Sequence, residues 1–137
     1  MRDPWKKLLS NCKLNANSRP FRRTSRKGVV KIPYSAMSVE IDAQDLKDIF
    51  EKQEGRCVIL GTPLNPSDVF LTNHPLAPSV DRIDNDQGYK RGNIQICSRF
   101  ANLGKRSYPT EQMSEVVERI RLGLVSKKWW QFWRRVW

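Results

Sequence analysis

The chain has 137 residues, room for one domain with a modest core and too little for two ordinary domains. Its 25 Lys+Arg stand against 14 Asp+Glu, a formal charge of +11 that points to a polyanionic partner, nucleic acid above all, rather than to a merely solvated basic surface. No apolar run approaches the roughly 20 residues that span a bilayer and no signal-peptide core is visible, so no membrane partner and a cytoplasmic location are expected.

In chain order, the first 28 residues carry Arg2, Lys6, Lys7, Lys13, Arg19, Arg22, Arg23, Arg26 and Lys27 against Asp3 alone, which reads as a basic N-terminal arm extending over 1–41. Within it, Val29 to Ser38, interrupted by Pro33, suits an edge strand. Asp42 is placed to cap a helix whose apolar positions Leu46, Ile49 and Phe50 recur at helical spacing, with Gly55 just past its end. Cys57 to Leu60 reads as a short buried strand ended by the turn Gly61-Thr62-Pro63. Asn65 to Pro78, which holds His74, reads as a loop with one short strand at Val69 to Leu71.

Strands are then expected at Ser79 to Ile83 and Asn93 to Cys97, bracketing a polar turn, with a helix beginning near Ser98. Thr110 is a good N-cap for a further helix, in which Met113, Val116, Val117 and Ile120 recur at i, i+3, i+4 and i+7 and should pack on the core. The last eleven residues, 127–137, hold Trp129, Trp130, Phe132, Trp133 and Trp137 among Lys and Arg. On a helix this tail separates an aromatic from a basic face, suited to docking on the core or on a second subunit, to stacking on unpaired bases, or to a membrane surface, in that order. The three cysteines, Cys12, Cys57 and Cys97, are odd in number and widely spaced, which argues against a secreted disulfide framework. Neither Cys57 nor Cys97 has a CxxC partner, since Leu60 and Phe100 stand three residues on, so no structural zinc is expected.

Five short motifs follow one another at ordered spacing: Phe50 to Cys57, Gly61-Thr62-Pro63-Leu64, Ser79-Val80-Asp81-Arg82-Ile83-Asp84 with Gly88-Tyr89, Gly92-Asn93-Ile94-Gln95, and Asn102-Leu103-Gly104-Lys105. Over Leu46 to Lys105 the chain resembles the HNH endonucleases, in the branch common among bacteriophage and homing nucleases that carries an Asp-Arg-Ile-Asp strand. The resemblance implies an α+β fold: a small ββα-metal core over 42–109, flanked by helices, the basic arm and, over 110–137, a helix with its aromatic basic tail. It also implies a metal-dependent DNA endonuclease acting in the cytoplasm of a bacterial or phage-infected cell.

By the same resemblance, Asp81 and Asn102 match the ligands of one divalent cation, Mg²⁺ or Mn²⁺, an oxygen donor set suited to a hard ion. Asn93 matches the central Asn, whose amide pins the loop. Lys105, three residues after Asn102 and so beside it on the helix, is placed to reach a phosphate, and Tyr89, Lys90, Arg91 and Arg106 are candidates for DNA backbone contact. One position departs from the family's naming pattern: Arg82 stands where the general-base His is expected, and a guanidinium has no acceptor. Substitutes are His74, Asp84, or a water activated by the metal alone; Arg82 is favoured as a phosphate clamp, with the base unassigned. The alternatives to an endonuclease are a DNA-binding protein that retains the scaffold without turnover, and a basic structural or packaging protein. A homodimer or another protein contact through the Trp-rich tail is also expected.

Overall fold

A computed structural model describes residues 2–17, 22–25, 28–31, 37–106 and 108–125; the Trp-rich tail expected at 127–137 lies outside the described residues. Among them are four α-helices and two two-stranded antiparallel sheets, a small α+β arrangement.

The basic N-terminal segment begins with a packed helix, α1, Pro4–Asn17. Pro4 takes the first helical position, where its missing N–H is no loss, and Asp3 Oδ1 accepts from the amides of Trp5 and Lys6 at 2.9 and 3.3 Å. Leu8, Cys12 and Ala16 fall four apart on one stripe and are buried against Ile41, Leu46 and Val69, while Lys6, Lys7 and Lys13 stay exposed. Up to Asn17 the expected arm is therefore part of the core. Strands β1, Arg22–Ser25, and β2, Gly28–Lys31, pair as a ribbon with Arg22 opposite Lys31.

Helix α2, Ala43–Lys52, starts on a reciprocal capping box between Asp42 and Asp45. Gly55, at φ +68°, turns the chain past its end and donates to the Phe50 carbonyl at 2.9 Å. The strand expected at Cys57 to Leu60 is a tight turn instead. The Cys57 carbonyl accepts from Gly61 at 2.8 Å, the Cys57 amide donates to Thr62 at 2.8 Å, and Cys57 Sγ accepts from the Leu60 amide. The strand expected at Val69 to Leu71 is replaced by a 3₁₀ turn, Pro66–Phe70, because Asn65 caps it through the Ser67 amide and Pro66 presets its φ.

The next two strands, β3, Pro78–Arg82, and β4, Ile94–Ser98, pair antiparallel with Asp81 opposite Gln95 and Ser79 opposite Cys97. Ser98 then caps α3, Arg99–Lys105, through the Ala101 amide at 3.1 Å. Val80 and Ile94 enter the core beneath α1, whereas Ile96 and Cys97 join Cys57, Ile59, Leu64 and Ala101 in a second cluster. Helix α4, Thr110–Val125, sets Met113 and Val117 against that second cluster, but Val116 and Ile120, expected to pack with them, are exposed. No helix among the described residues is long and apolar enough to cross a membrane.

Candidate active site

Alternation along β3 puts Ser79 and Asp81 on one face, and the antiparallel register puts Cys97 and Gln95 beside them. Helix α3 crosses that face. Asn102 Nδ2 donates to Ser79 Oγ at 2.8 Å and to the Val80 carbonyl at 3.2 Å. The amide oxygen of Asn102 takes part in neither bond. One helical turn on, Lys105 Nζ lies 3.1 Å from Asp81 Oδ2 and 3.3 Å from Oδ1, and 3.2 Å from the Arg82 carbonyl. Gln95 Nε2 bridges Asp81 Oδ2 at 2.7 Å to Thr110 Oγ1 at 2.8 Å, tying the site to the start of α4.

Asp81 is 3% exposed and Lys105 0%. Two charges so deeply buried persist only when each satisfies the other and the remaining donors and acceptors are filled, which Gln95 and the Arg82 carbonyl accomplish. A lysine expected to meet phosphate is thus, in this structure, the partner of the expected metal ligand.

The loop 83–93 closes on Asn93. Its Oδ1 accepts from the Asp84 amide at 2.9 Å, and its Nδ2 donates to the carbonyls of Asp84 and Gly88, both at 3.0 Å. Asp84 Oδ1 accepts from the Asp86 amide at 2.9 Å and Oδ2 from Gln87 Nε2 at 2.7 Å. These bonds, the amide first, hold its carboxyl below the usual carboxylate range, helped by the charges of Lys90 and Arg82. A carboxylate stabilised in this way is a weak proton acceptor.

Arg82 points to the other side of the hairpin from Asp81. Its Nη1 donates to the carbonyls of Asn85 and Gln87 at 3.0 and 3.1 Å and to Met37 Sδ, and its guanidinium lies 5.4 Å from the Tyr89 ring centroid. Tyr89 is buried in the first core cluster rather than presented to solvent, and burial raises its hydroxyl above the ordinary tyrosine value. Arg91 Nε holds Asp45 Oδ1 at 2.7 Å on the exposed rim of α2. Lys90 is half-buried, and Arg106 is exposed with its carbonyl accepting from Asn85 Nδ2 at 2.9 Å. His74 Nδ1 stands 3.9 Å from Asp68 Oδ2, beyond hydrogen-bond reach, and is buried without a hydrogen-bond partner among the described residues.

No family model and no curated protein matches the chain. The site is accordingly read from its own geometry. Asp81, Asn102 and Lys105 converge on one face, with Asn93 closing the loop between the strands. Arg91 and Asp84 make their contacts elsewhere, with Asp45 and the loop, and His74 lies apart, 3.9 Å from Asp68.

Sequence reasoning missed Gln95, Ser79 and Thr110, although placing Asn93 to Cys97 antiparallel to Ser79 to Ile83 is enough to bring Gln95 opposite Asp81. It also missed Gln53. That side chain accepts from the Ile96 amide at 2.9 Å and donates to the Ile96 carbonyl at 2.6 Å, closing the free edge of β4 as a neighbouring strand would. The three cysteines are buried. Burial pushes the Cys97 thiol up, and that of Cys12 up to about 12, which rules against either as a nucleophile.

The donor set on the face suits a hard divalent cation in kind, with one carboxylate at Asp81 and one amide oxygen at Asn102. No group of three or more His, Cys, Asp or Glu gathers among the described residues.

Proposed function

We propose that the protein is a metal-dependent DNA endonuclease of the HNH kind, hydrolysing phosphodiester bonds with one divalent cation, Mg²⁺ or Mn²⁺. The observation that carries this reading is the packing of Asn102 and Lys105 of α3 onto the Ser79 and Asp81 face of β3, beneath a loop closed by Asn93. Strand, loop, strand and helix follow one another in the order the sequence motifs suggest, which supports placing Asp81 and Asn102 on one face. The net charge of +11 supports DNA as the substrate.

Asp81 and Asn102 are the residues that would hold the cation. When bound, it supplies Lewis-acid stabilisation to the scissile phosphate and its leaving oxygen. The chain's own contribution is rigidity: Ser79 orients the Asn102 amide, Gln95 orients the Asp81 carboxylate, and Asn93 fixes the loop that follows β3. Arg82 Nη1 is occupied with loop carbonyls, so part of its work is to brace the loop. No protein base is assigned.

One observation favours a second reading, a DNA-binding protein without turnover: the charge of Asp81 is already balanced by a buried lysine. Incubating the purified chain with supercoiled plasmid in Mg²⁺ or Mn²⁺ separates the two. Conversion to relaxed circles, abolished by chelator, supports the nuclease; a mobility shift with the plasmid left intact supports the binder.

A further inference from the structure

We propose that the Lys105 ammonium is an internal cation that keeps the Asp81 site closed and competes with the divalent metal for it. The inference rests on the metal-dependent reading above and concerns how that site is gated.

Lysine is among the residues least often fully buried, yet Lys105 is 0% exposed. Its ammonium lies within 3.3 Å of both oxygens of Asp81, with the Arg82 carbonyl as its third acceptor. Nζ therefore spans the carboxylate edge that an incoming cation would use. A divalent ion held at that edge would share the poorly solvated carboxylate with the ammonium. There the repulsion between a doubly charged ion and an ammonium is severe. Occupancy by one excludes the other.

Lys105 is the last residue of α3, followed by Arg106 at φ +49°, and its four-carbon stem allows the head to leave while the stem stays packed. Gln95 and Asn102 keep their own partners, Thr110 and Ser79, when Nζ departs. Once displaced, the ammonium needs another anion, and a phosphate oxygen is the complementary group. In the absence of metal, by contrast, the ion pair keeps the carboxylate neutralised and the fold intact.

Titration calorimetry of Mn²⁺ into the full chain and into Lys105→Met tests this without DNA or turnover. The expected result is a Kd at least tenfold lower for Lys105→Met. Its melting temperature in chelator should fall below that of the parent chain and rise further than the parent's when Mn²⁺ is added. A folded Lys105→Met that binds Mn²⁺ no more tightly than the parent overturns the proposal.

If Lys105→Met does not fold, the parent chain decides through the ¹⁵N resonance of the Lys105 side chain. That signal is expected to shift or vanish at saturating Mg²⁺, and a signal unmoved at saturation overturns the proposal. Binding heats equal in the two proteins, with plasmid cutting intact, overturn the competition alone. No heat from either, together with intact plasmid, overturns the nuclease reading along with it.

Discussion

Asn93 grips Asp84 by both backbone groups, its Oδ1 accepting from the Asp84 amide at 2.9 Å and its Nδ2 donating to the Asp84 carbonyl at 3.0 Å. The same Nδ2 reaches the Gly88 carbonyl at 3.0 Å, so one buried side chain closes the whole loop between β3 and β4. Asn93→Ala leaves one amide and two carbonyls without this partner and is expected to destabilise the fold by about 2–4 kcal/mol. Asn93→Asp retains the acceptor but turns a carboxylate oxygen toward two carbonyls, and no rescue is expected from it. Urea unfolding of the three proteins checks both.

Gln53 does for β4 what a third strand would do. Val58 also donates to the Ile96 carbonyl, at 3.3 Å, so the loss in Gln53→Leu falls mainly on the Ile96 amide. A cost of about 1–3 kcal/mol is expected, the usual penalty for a buried donor left unpaired. Hydrogen exchange locates it: the Ile96 amide should lose protection out of proportion to the rest of β4.

Gly88 lies against the chain that leads into α2. A Cβ there would come within 2.5 Å of both the carbonyl oxygen and Oγ of Ser38, whose carbonyl accepts from the Tyr89 amide at 2.9 Å. Gly88→Ala is therefore expected to pry residues 38–40 from Tyr89 and to destabilise by about 1–3 kcal/mol. Thermal unfolding of Gly88→Ala beside the parent chain checks this.

How legible all this was depended on the kind of signal. Helix α2 is legible in the Asp42 cap and the spacing of Leu46, Ile49 and Phe50, which are local, and the strand, loop, strand, helix order in the motifs, with a helix beginning near Ser98. Helix α1 was obscured by charge density, although Leu8, Cys12 and Ala16 already lay on one stripe; a cationic run says nothing about what its apolar face does. Cys57 to Leu60 looked like a strand because a four-residue apolar run has no period to read. The burial of Lys105 and Tyr89 was illegible because both depend on partners supplied across the fold, Asp81 for one and the α1 core for the other.

Part of the acid sensitivity should reside at the rim of α2. The Arg91 hydrogen bond, and then the Asp42 amide, hold the Asp45 carboxyl below its ordinary value of 3.8. A carboxyl depressed on folding contributes stability that is fully present above 3.8 and is lost as pH falls through the lower folded value. Arg91→Leu removes the leading cause, so its acid unfolding, followed by far-ultraviolet circular dichroism, should begin at higher pH than that of the parent. Coincident acid transitions would show that the pair contributes nothing.

The most direct measurement is plasmid relaxation by Asp81→Asn beside the parent chain, in Mg²⁺ and in Mn²⁺, with both proteins shown to be folded. Asparagine keeps the size of the side chain while removing the charge on which cation binding depends. The parent should nick the plasmid and lose that activity in chelator, and Asp81→Asn should be slower by at least a hundredfold while still binding DNA. Metal-dependent cutting that survives Asp81→Asn, or a parent that binds plasmid but leaves it intact with either cation, would contradict the assignment.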